Sequence, residues 1–310
     1  VDPRAAPRSP DPAVLRRPRT EPVEPDRDPR LTIVMPPPNE LETLRTALDR
    51  LLAVTMPVPT EILVVDDGSS DGCTDTIADL VDDGRVRLLV QNPNQGKGKA
   101  LRRGIAEASN SLLTVLDADL EYDPADFPAL LRPILDGDAR VVYGARSYGG
   151  HAAYSFWFVL GNKMLALWAS FLFDAWLTDI ETCLKVAPTT TWRALDLQSN
   201  GFGIEAELTG KLLARRERIF EVPISYRARG REEGKKIQWT DGVAALWILA
   251  RIRLRGRGGG WTSGLGSVAS TASVAQRCCW WWCTTPATSR PVGAHGCSRA
   301  GSWASTCSSC

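Results

Sequence analysis

LVVDDGSSD (63–71) and LLTVLDADLEYDP (112–124) each open as a run of Val, Leu and Ile of strand length and stop in carboxylates and turn residues. Taken with the runs at 31–36, 86–91 and 140–144, they place five strands at 31–36, 61–66, 86–91, 112–117 and 140–144. Helical patterns fill 40–53, 72–82, 98–108 and 125–136 between them. Strands alternating with helices of this length predict an α/β fold with a mostly parallel, doubly wound sheet. In such a sheet the carboxyl ends of the strands share one edge, where ligands bind. Asp66, Asp67, Asp117 and Asp119 are therefore predicted to face one crevice. Close carboxylates repel unless a cation or ligand donors compensate them, which points to a metal and a polar substrate.

Composition narrows the chemistry. The chain has 310 residues, 44% of them apolar, and a formal net charge of +1. That suffices for a proper core and gives no global attraction to nucleic acid, so no nucleic-acid partner is expected. The histidines are His151 and His295. A zinc site with the usual histidine spacing has too few ligands, and a Ser-His-Asp triad would have to use His151.

Residues 1–30 carry eight prolines, seven arginines and six acids. Such a segment buries too little to offset its ordering entropy and is expected to be disordered; with no apolar h-region it is not a secretory signal. The segment SFWFVLGNKMLALWASFLFDAWL (155–177) is long and apolar enough for a membrane span. A span would put 31–150 and 179–256 on opposite sides of a bilayer, so one or two helices lying in the interface are preferred. A buried helical hairpin or a dimer contact is the alternative. GVAALWILARIRLRGR (242–257) joins an apolar helix to Arg251, Arg253, Arg255 and Arg257. It suits an anionic leaflet, at about 1 kcal/mol per cation, or an ordinary helix with a solvated basic end. From 242 to 310 there is no Asp, Glu or Lys, and six of the eight cysteines crowd into 278–310 beside Trp280, Trp281 and Trp282. The spacing matches no metal pattern, so 257–310 is expected to be a disordered or non-native tail. The body holds only Cys73 and Cys183, as in a cytosolic protein. No internal repeat is visible.

A strand ending in Asp-x-Asp points alternate side chains to one face, so Asp117 and Asp119 can reach one ion, with Glu121 continuing the alternation. Carboxylate oxygens suit Mg²⁺ or Mn²⁺. DDGSSDGCTD (66–75) reads as a strand end whose Asp accepts from a nucleobase or ribose while Gly68 lets the backbone turn closely. A calcium loop lacks its final bidentate Glu, and Ser70 or Asp71 can serve as a helix N-cap. NPNQGKGKALRRG (92–104) lacks the P-loop spacing. Lys97 near a helix start can meet a diphosphate or sit in a solvated turn. YRARGREEGKKIQW (226–239), with Arg227, Arg229, Arg231, Lys235 and Lys236, is a mobile loop closing on a phosphate or a solvated face; Arg146 is a further cation expected at the crevice.

These segments occur in a recognisable order. MPPPNELETL (35–44), VVDDGSSDGCTD (64–75), NQGKGKALRRG (94–104), DADLEYDP (117–124), YGARS (143–147), TDIETCLKV (178–186), GFGIEAELTGKL (201–212) and EVPISYRARGREEGKKIQWTDG (221–242) resemble the family-two glycosyltransferases. Within them the likeness is to the dolichol-phosphate mannose synthase and polyprenyl-phosphate glycosyltransferase group, over 31–256. The resemblance implies a GT-A fold (α/β, Rossmann-like, mostly parallel) with membrane-interface amphipathic helices at about 153–177 and 240–256. It implies inverting transfer of a hexose, mannose or glucose, from a nucleotide-diphospho-sugar (GDP-mannose or UDP-glucose) to a polyprenyl phosphate. The enzyme would be cytoplasmic and peripheral on the inner face of the membrane.

Carried over by residue, Asp117, Asp119 and Glu121 would hold the Mg²⁺ or Mn²⁺. Pro36, Asn39, Glu40, Asp66, Asp67, Gly68, Lys97, Asp117 and Ala118 would bind the nucleotide sugar. Arg146, Arg227, Arg229 and Lys235 would meet the acceptor phosphate. Asp117, Asp119, Arg146 and Asp179 form the catalytic set, and Asp179 and Glu181 match a motif near the sugar. Three departures stand out: the family's P-x-Y-N-E has become Pro36-Pro37-Pro38-Asn39-Glu40, which removes the aromatic contact to the base; Cys73 sits in the nucleotide loop; and no apolar run long enough for further spans follows the basic stretch. Two other readings remain: a GT-A enzyme with a soluble hydroxyl acceptor, using Asp179 as base, and an inactive truncated remnant.

Overall fold

The computed structural model describes residues 28–37, 39–146, 156–201, 203–227 and 239–256. The expected tail 257–310, nearly all of the Pro/Arg-rich N-terminus, His151, Arg229 and Lys235 lie outside the described residues. The strands are β1 (Leu31–Met35), β2 (Thr60–Asp66), β3 (Arg87–Val90), β4 (Leu112–Val115), β5 (Val141–Arg146), β6 (Lys185–Pro188) and β7 (Ile219–Ile224). The helices are α1 (Leu44–Leu52), α2 (Ala78–Asp82), α3 (Lys97–Glu107), α4 (Phe127–Leu135), α5 (Phe156–Phe173), α6 (Thr189–Ala194), α7 (Ile204–Ala214) and α8 (Trp239–Gly256).

The strands form one seven-stranded sheet in the order β3-β2-β1-β4-β6-β5-β7. All neighbours are parallel except β6, which runs antiparallel to both β4 and β5. That strand is absent from the sequence expectation because KVAP is short and opens on a lysine. Lys185 is nonetheless buried, its ammonium donating to the Ile180 carbonyl at 3.0 Å and pairing with Glu205.

Both faces of the sheet are covered, so its central strands read as unbroken apolar runs. Leu31, Ile33, Met35, Ile62 and Val64 meet Leu44, Leu48 and Leu51 of α1 and Phe127 and Leu130 of α4. The alternate residues Val34, Leu63, Val65, Leu113 and Val115 meet Leu101 and Ile105 of α3, Trp192 of α6 and Leu208 of α7. Gly104 marks the closest approach on this side: a Cβ there would lie 2.4 Å from Val34 Cγ1.

The segment 155–177 forms a single helix, α5, that continues through Gly161-Asn162-Lys163 and stops where Asp174 takes a left-handed conformation (φ 53°). It packs with α7 and α8 through Leu165, Ala166, Ala169, Ala206, Leu213, Ala245 and Leu249. Leu160, Met164, Leu167 and Phe171, spaced along one side of α5, stay exposed, as do Val243, Trp247 and Leu254 of α8. Among the described residues, no helix is long and apolar enough to cross a membrane.

Candidate active site

β1, β2 and β4 run in the same direction, so the segments that follow them leave from one edge of the sheet. The first two are laced together. Ser70 N–H donates to Asn39 Oδ1 at 2.9 Å, Asn39 N–H to Ser69 Oγ at 3.2 Å, and Leu41 N–H to Asp71 Oδ2 at 2.9 Å. Asp71 also accepts from Cys73 N–H at 3.1 Å, but the cap position of the short 3-10 turn Cys73–Ile77 falls to the left-handed Gly72 and not to Ser70 or Asp71. Burial opposes its ionisation, but these backbone donors carry Asp71 below the usual carboxylate range. Asp66 Oδ1 accepts from Ser69 N–H at 3.1 Å. Pro36 is buried, and Glu40 accepts from Thr43 Oγ1 at 2.7 Å.

Asp67 does different work. One oxygen accepts from Gln91 Nε2 and from Gln95 N–H, and the other from Gly96 N–H. It thereby fixes the start of α3, where Gly96 has φ +95° and a Cβ would meet the Asn200 carbonyl oxygen at 2.6 Å. The next residue, Lys97, reaches across to Asp117, Nζ to Oδ2 2.8 Å. The two acidic strand ends are thus bridged by 95–97, and the protein's own lysine compensates Asp117. Burial works against the Lys97 charge, yet Asp117, Glu205 and Cys183 hold its ammonium well above the ordinary lysine range. Neither a solvated basic turn at Lys97 nor a calcium loop at 66–75 survives: the lysine is paired, and Asp66, Asp67 and Asp71 are turned onto local donors.

β4 ends at Val115, two residues short of the expected strand, so the alternation predicted to carry Asp117, Asp119 and Glu121 to one face does not extend that far. The acidic residues lie in a turn that contains a left-handed Leu120 (φ 60°). Asp119 Oδ1 accepts from Glu121 N–H at 3.1 Å, and Glu121 Oε2 from the Tyr226 hydroxyl at 2.7 Å. Among the described residues no three His, Cys, Asp or Glu side chains are gathered as a metal cage. What remains is the pair Asp117 and Asp119, with Ala118 buried between them. Oxygen donors of this number fit Mg²⁺ or Mn²⁺, which keep waters and take phosphate oxygens as further ligands.

The acid turn is clamped to the start of the basic segment. Tyr122 and Tyr226 form an isolated antiparallel bridge with ring centroids 5.3 Å apart, and Arg227 N–H donates to the Glu121 carbonyl at 2.8 Å. The Arg227 side chain is exposed. Arg146 lies over the Tyr226 ring at 5.0 Å and forms a bidentate pair with Asp179, Nε to Oδ2 2.6 Å and Nη2 to Oδ1 2.8 Å. Both side chains are 5% exposed. Burial opposes the Asp179 charge, but the Arg146 guanidinium takes its carboxyl below the usual range. The two residues expected to contact substrate directly are therefore locked on each other.

Tyr226, Tyr122, Cys183, Lys185 and Glu205 join the cluster without having been singled out for it. Cys183 is buried, its N–H donates to the Tyr122 hydroxyl at 3.3 Å, and burial together with Asp117 pushes its thiol well above the ordinary range. A lysine inside an apolar strand, with acids on a following helix, was the only sequence signal for the Lys185–Glu205 pair.

The mostly parallel sheet with one inserted antiparallel strand is a GT-A-type fold, with the acid pair at its carboxyl edge. In solved structures the arrangement is similar to glucosyl-3-phosphoglycerate synthase from Mycobacterium tuberculosis, crystallised with Mn²⁺, UDP and phosphoglyceric acid. That likeness has a TM-score of 0.56 at 22% identity and covers 77% of this chain and 82% of that one, a likeness of fold. The family model "Glycosyl transferase family 2" matches residues 32–183. An undecaprenyl-phosphate mannosyltransferase from Micrococcus luteus is 31% identical over 251 residues, 73% of this chain and 99% of that protein. A dolichol-phosphate mannosyltransferase from Mycosarcoma maydis is 30% identical over 181 residues, 57% of this chain and 61% of that protein. The chain belongs to glycosyl transferase family 2.

Proposed function

We propose that this chain transfers a hexose, mannose or glucose, from a nucleotide-diphospho-sugar to a polyprenyl phosphate at a membrane surface, with inversion. The observation that carries the reading is the clamp between the acid turn and the segment leading into the basic run. Through Tyr122, Tyr226 and the Arg227–Glu121 hydrogen bond, the carboxylates suited to a metal-diphosphate adjoin the cations suited to an acceptor phosphate. The near full-length match to a polyprenyl-phosphate mannosyltransferase supports the acceptor class.

Asp117 and Asp119 would hold the Mg²⁺ or Mn²⁺, which supplies Lewis-acid charge neutralisation for the departing diphosphate. Lys97 sits at the N-terminus of α3, where an anion is favoured, and would exchange Asp117 for a diphosphate oxygen. Pro36, Asn39, Glu40, Asp66, Asp67 and Gly68 shape the nucleoside side; Asp67 does so indirectly, through the 91–96 loop. The acceptor needs no base: a phosphate monoester has its second pKa near about 6 and is already largely dianionic at neutral pH. The Arg146–Asp179 pair supports this assignment, because an Asp179 with both oxygens bound to a guanidinium is a poor proton acceptor for a soluble hydroxyl substrate. Arg227, and Arg229 and Lys235 beyond the described residues, would steer the lipid phosphate.

For the membrane, the exposed stripe of α5 is joined by Trp176, 79% exposed, and by the apolar residues of α8 beside exposed Arg251 and Arg255. An apolar face edged by arginine suits the boundary of an anionic bilayer. The deciding experiment offers GDP-mannose and UDP-glucose to the purified chain with a short polyprenyl phosphate and Mg²⁺ or Mn²⁺. Metal-dependent glycolipid formation is expected. Donor turnover only with soluble acceptors would refute the reading.

A further inference from the structure

β3 is an edge strand of the sheet, and a groove of about 530 Å³ opens between its carboxyl end and α3. That volume is on the scale of a small-molecule site. Lys99, Arg102 and Arg103 line the groove together with the amide side chains of Gln91, Asn92 and Gln95. Among the described residues no carboxylate lines it, and none of the residues assigned above to metal, donor or acceptor does.

The three cations are held in place without being neutralised. Standing at i, i+3 and i+4 of one helix, they share a face and repel one another. Arg102 Nη1 donates to the Ser199 carbonyl at 2.6 Å and its Nη2 to Asn200 Oδ1 at 2.5 Å, while Arg103 Nη1 donates to the Val90 carbonyl at 3.1 Å. All three acceptors are uncharged, so these bonds orient the guanidinium groups and leave their charge standing. Lys99 is exposed, and among the described residues its ammonium has neither an ion pair nor a hydrogen bond. Arg45, Arg87, Lys97, Arg146, Lys185 and Lys211, by contrast, each face a carboxylate.

We propose that the β3–α3 groove is a second anion site, separate from the donor crevice, that takes a phosphate-bearing ligand. Guanidinium forks and an ammonium match phosphate oxygens in geometry and charge, the amides of Asn92 and Gln95 add neutral donors, and a bound anion relieves the repulsion along α3. A lipid phosphate headgroup and a soluble phosphate ester present the same chemistry, and the experiment separates them. The site does not depend on the donor reading above.

Isothermal titration of pyrophosphate into the full chain, in metal-free buffer where the acid turn cannot hold a metal-diphosphate, tests this. Saturable binding is expected in wild type, with a loss of about threefold or more in K99Q and about 10-fold or more in K99Q/R103Q. R251Q/R255Q removes the same net charge from exposed positions of α8 and should bind pyrophosphate as wild type does. Lys99 makes no contact that folding would lose, so K99Q carries the test if melting curves show the double variant to be unstable. Co-sedimentation with vesicles of phosphatidylglycerol and phosphatidylcholine in equal parts then names the source. A loss in K99Q/R103Q assigns a lipid headgroup; wild-type sedimentation with pyrophosphate binding lost assigns a soluble phosphate. Absence of saturable binding in wild type, unchanged affinity in folded K99Q and K99Q/R103Q, or an equal loss in R251Q/R255Q would overturn the proposal. Nucleotide binding with Mn²⁺ is read separately, so a chain that binds pyrophosphate here but no nucleotide would refute the donor reading alone.

Discussion

Replacing Glu181 by Gln tests the electrostatics of the site without any ligand. In the folded chain the carboxyl titrates near about 7 against an ordinary value of 4.5. The folded state therefore binds that proton more tightly than the unfolded state does. Its contribution to stability is complete below about pH 4.5 and is lost as pH rises through about 7. Each pH unit of difference corresponds to about 1.4 kcal/mol, and the partial exposure of Glu181 reduces the effect, leaving on the order of 2 kcal/mol. The amide of the E181Q variant carries no such titration. Urea unfolding of both proteins between pH 4.5 and 8 should show E181Q gaining on wild type by about that amount as pH rises. All other groups titrate in both proteins and cancel in the difference. A gap that stays constant with pH, or that favours wild type increasingly at high pH, would refute the argument that burial raises this carboxyl.

Asp179→Ala leaves Arg146 buried without its counter-ion, so it should lose about 3–5 kcal/mol of stability, measured by chemical denaturation, before any effect on activity is considered. Asp119→Ala should abolish metal-dependent turnover and weaken Mn²⁺ binding while leaving the melting temperature near wild type; full activity would sink the metal assignment. Phe171→Asp together with Trp176→Asp should reduce co-sedimentation with anionic vesicles and leave donor binding intact, since both side chains are exposed (77% and 79%). Gly104→Ala should cost about 1–3 kcal/mol in thermal unfolding, because its methyl would press on Val34.

The strand–helix alternation through residue 146 was legible because apolar runs of strand length and helical periodicity are local signals. β6 was missed because a short strand led by lysine gives neither. Its burial depends on Glu205, a residue on a different element. At the site, sequence reasoning found the acidic strand ends but not the lysine that pairs with one of them. Lys97 and Asp117 follow different strands, β3 and β4, and meet only because those parallel strands end on one edge. The same limit hid the Arg146–Asp179 pair: each residue alone reads as a substrate contact, and together they largely cancel. Tyr226 gave no signal beside a run of arginines, and its role shows only where the ring touches Tyr122 and Arg146.

By itself the sequence determined the α/β order, the acidic ends of two strands and the family, because each is written in contiguous residues. Tertiary structure decided which carboxylates are already engaged. Asp67, Asp71 and Asp179 are consumed by backbone and arginine donors, Asp117 is balanced by a lysine, and Glu181 keeps a buried oxygen without a partner. A charge's availability depends on the neighbours that folding brings within hydrogen-bond reach, and that information lies in no single segment of the chain.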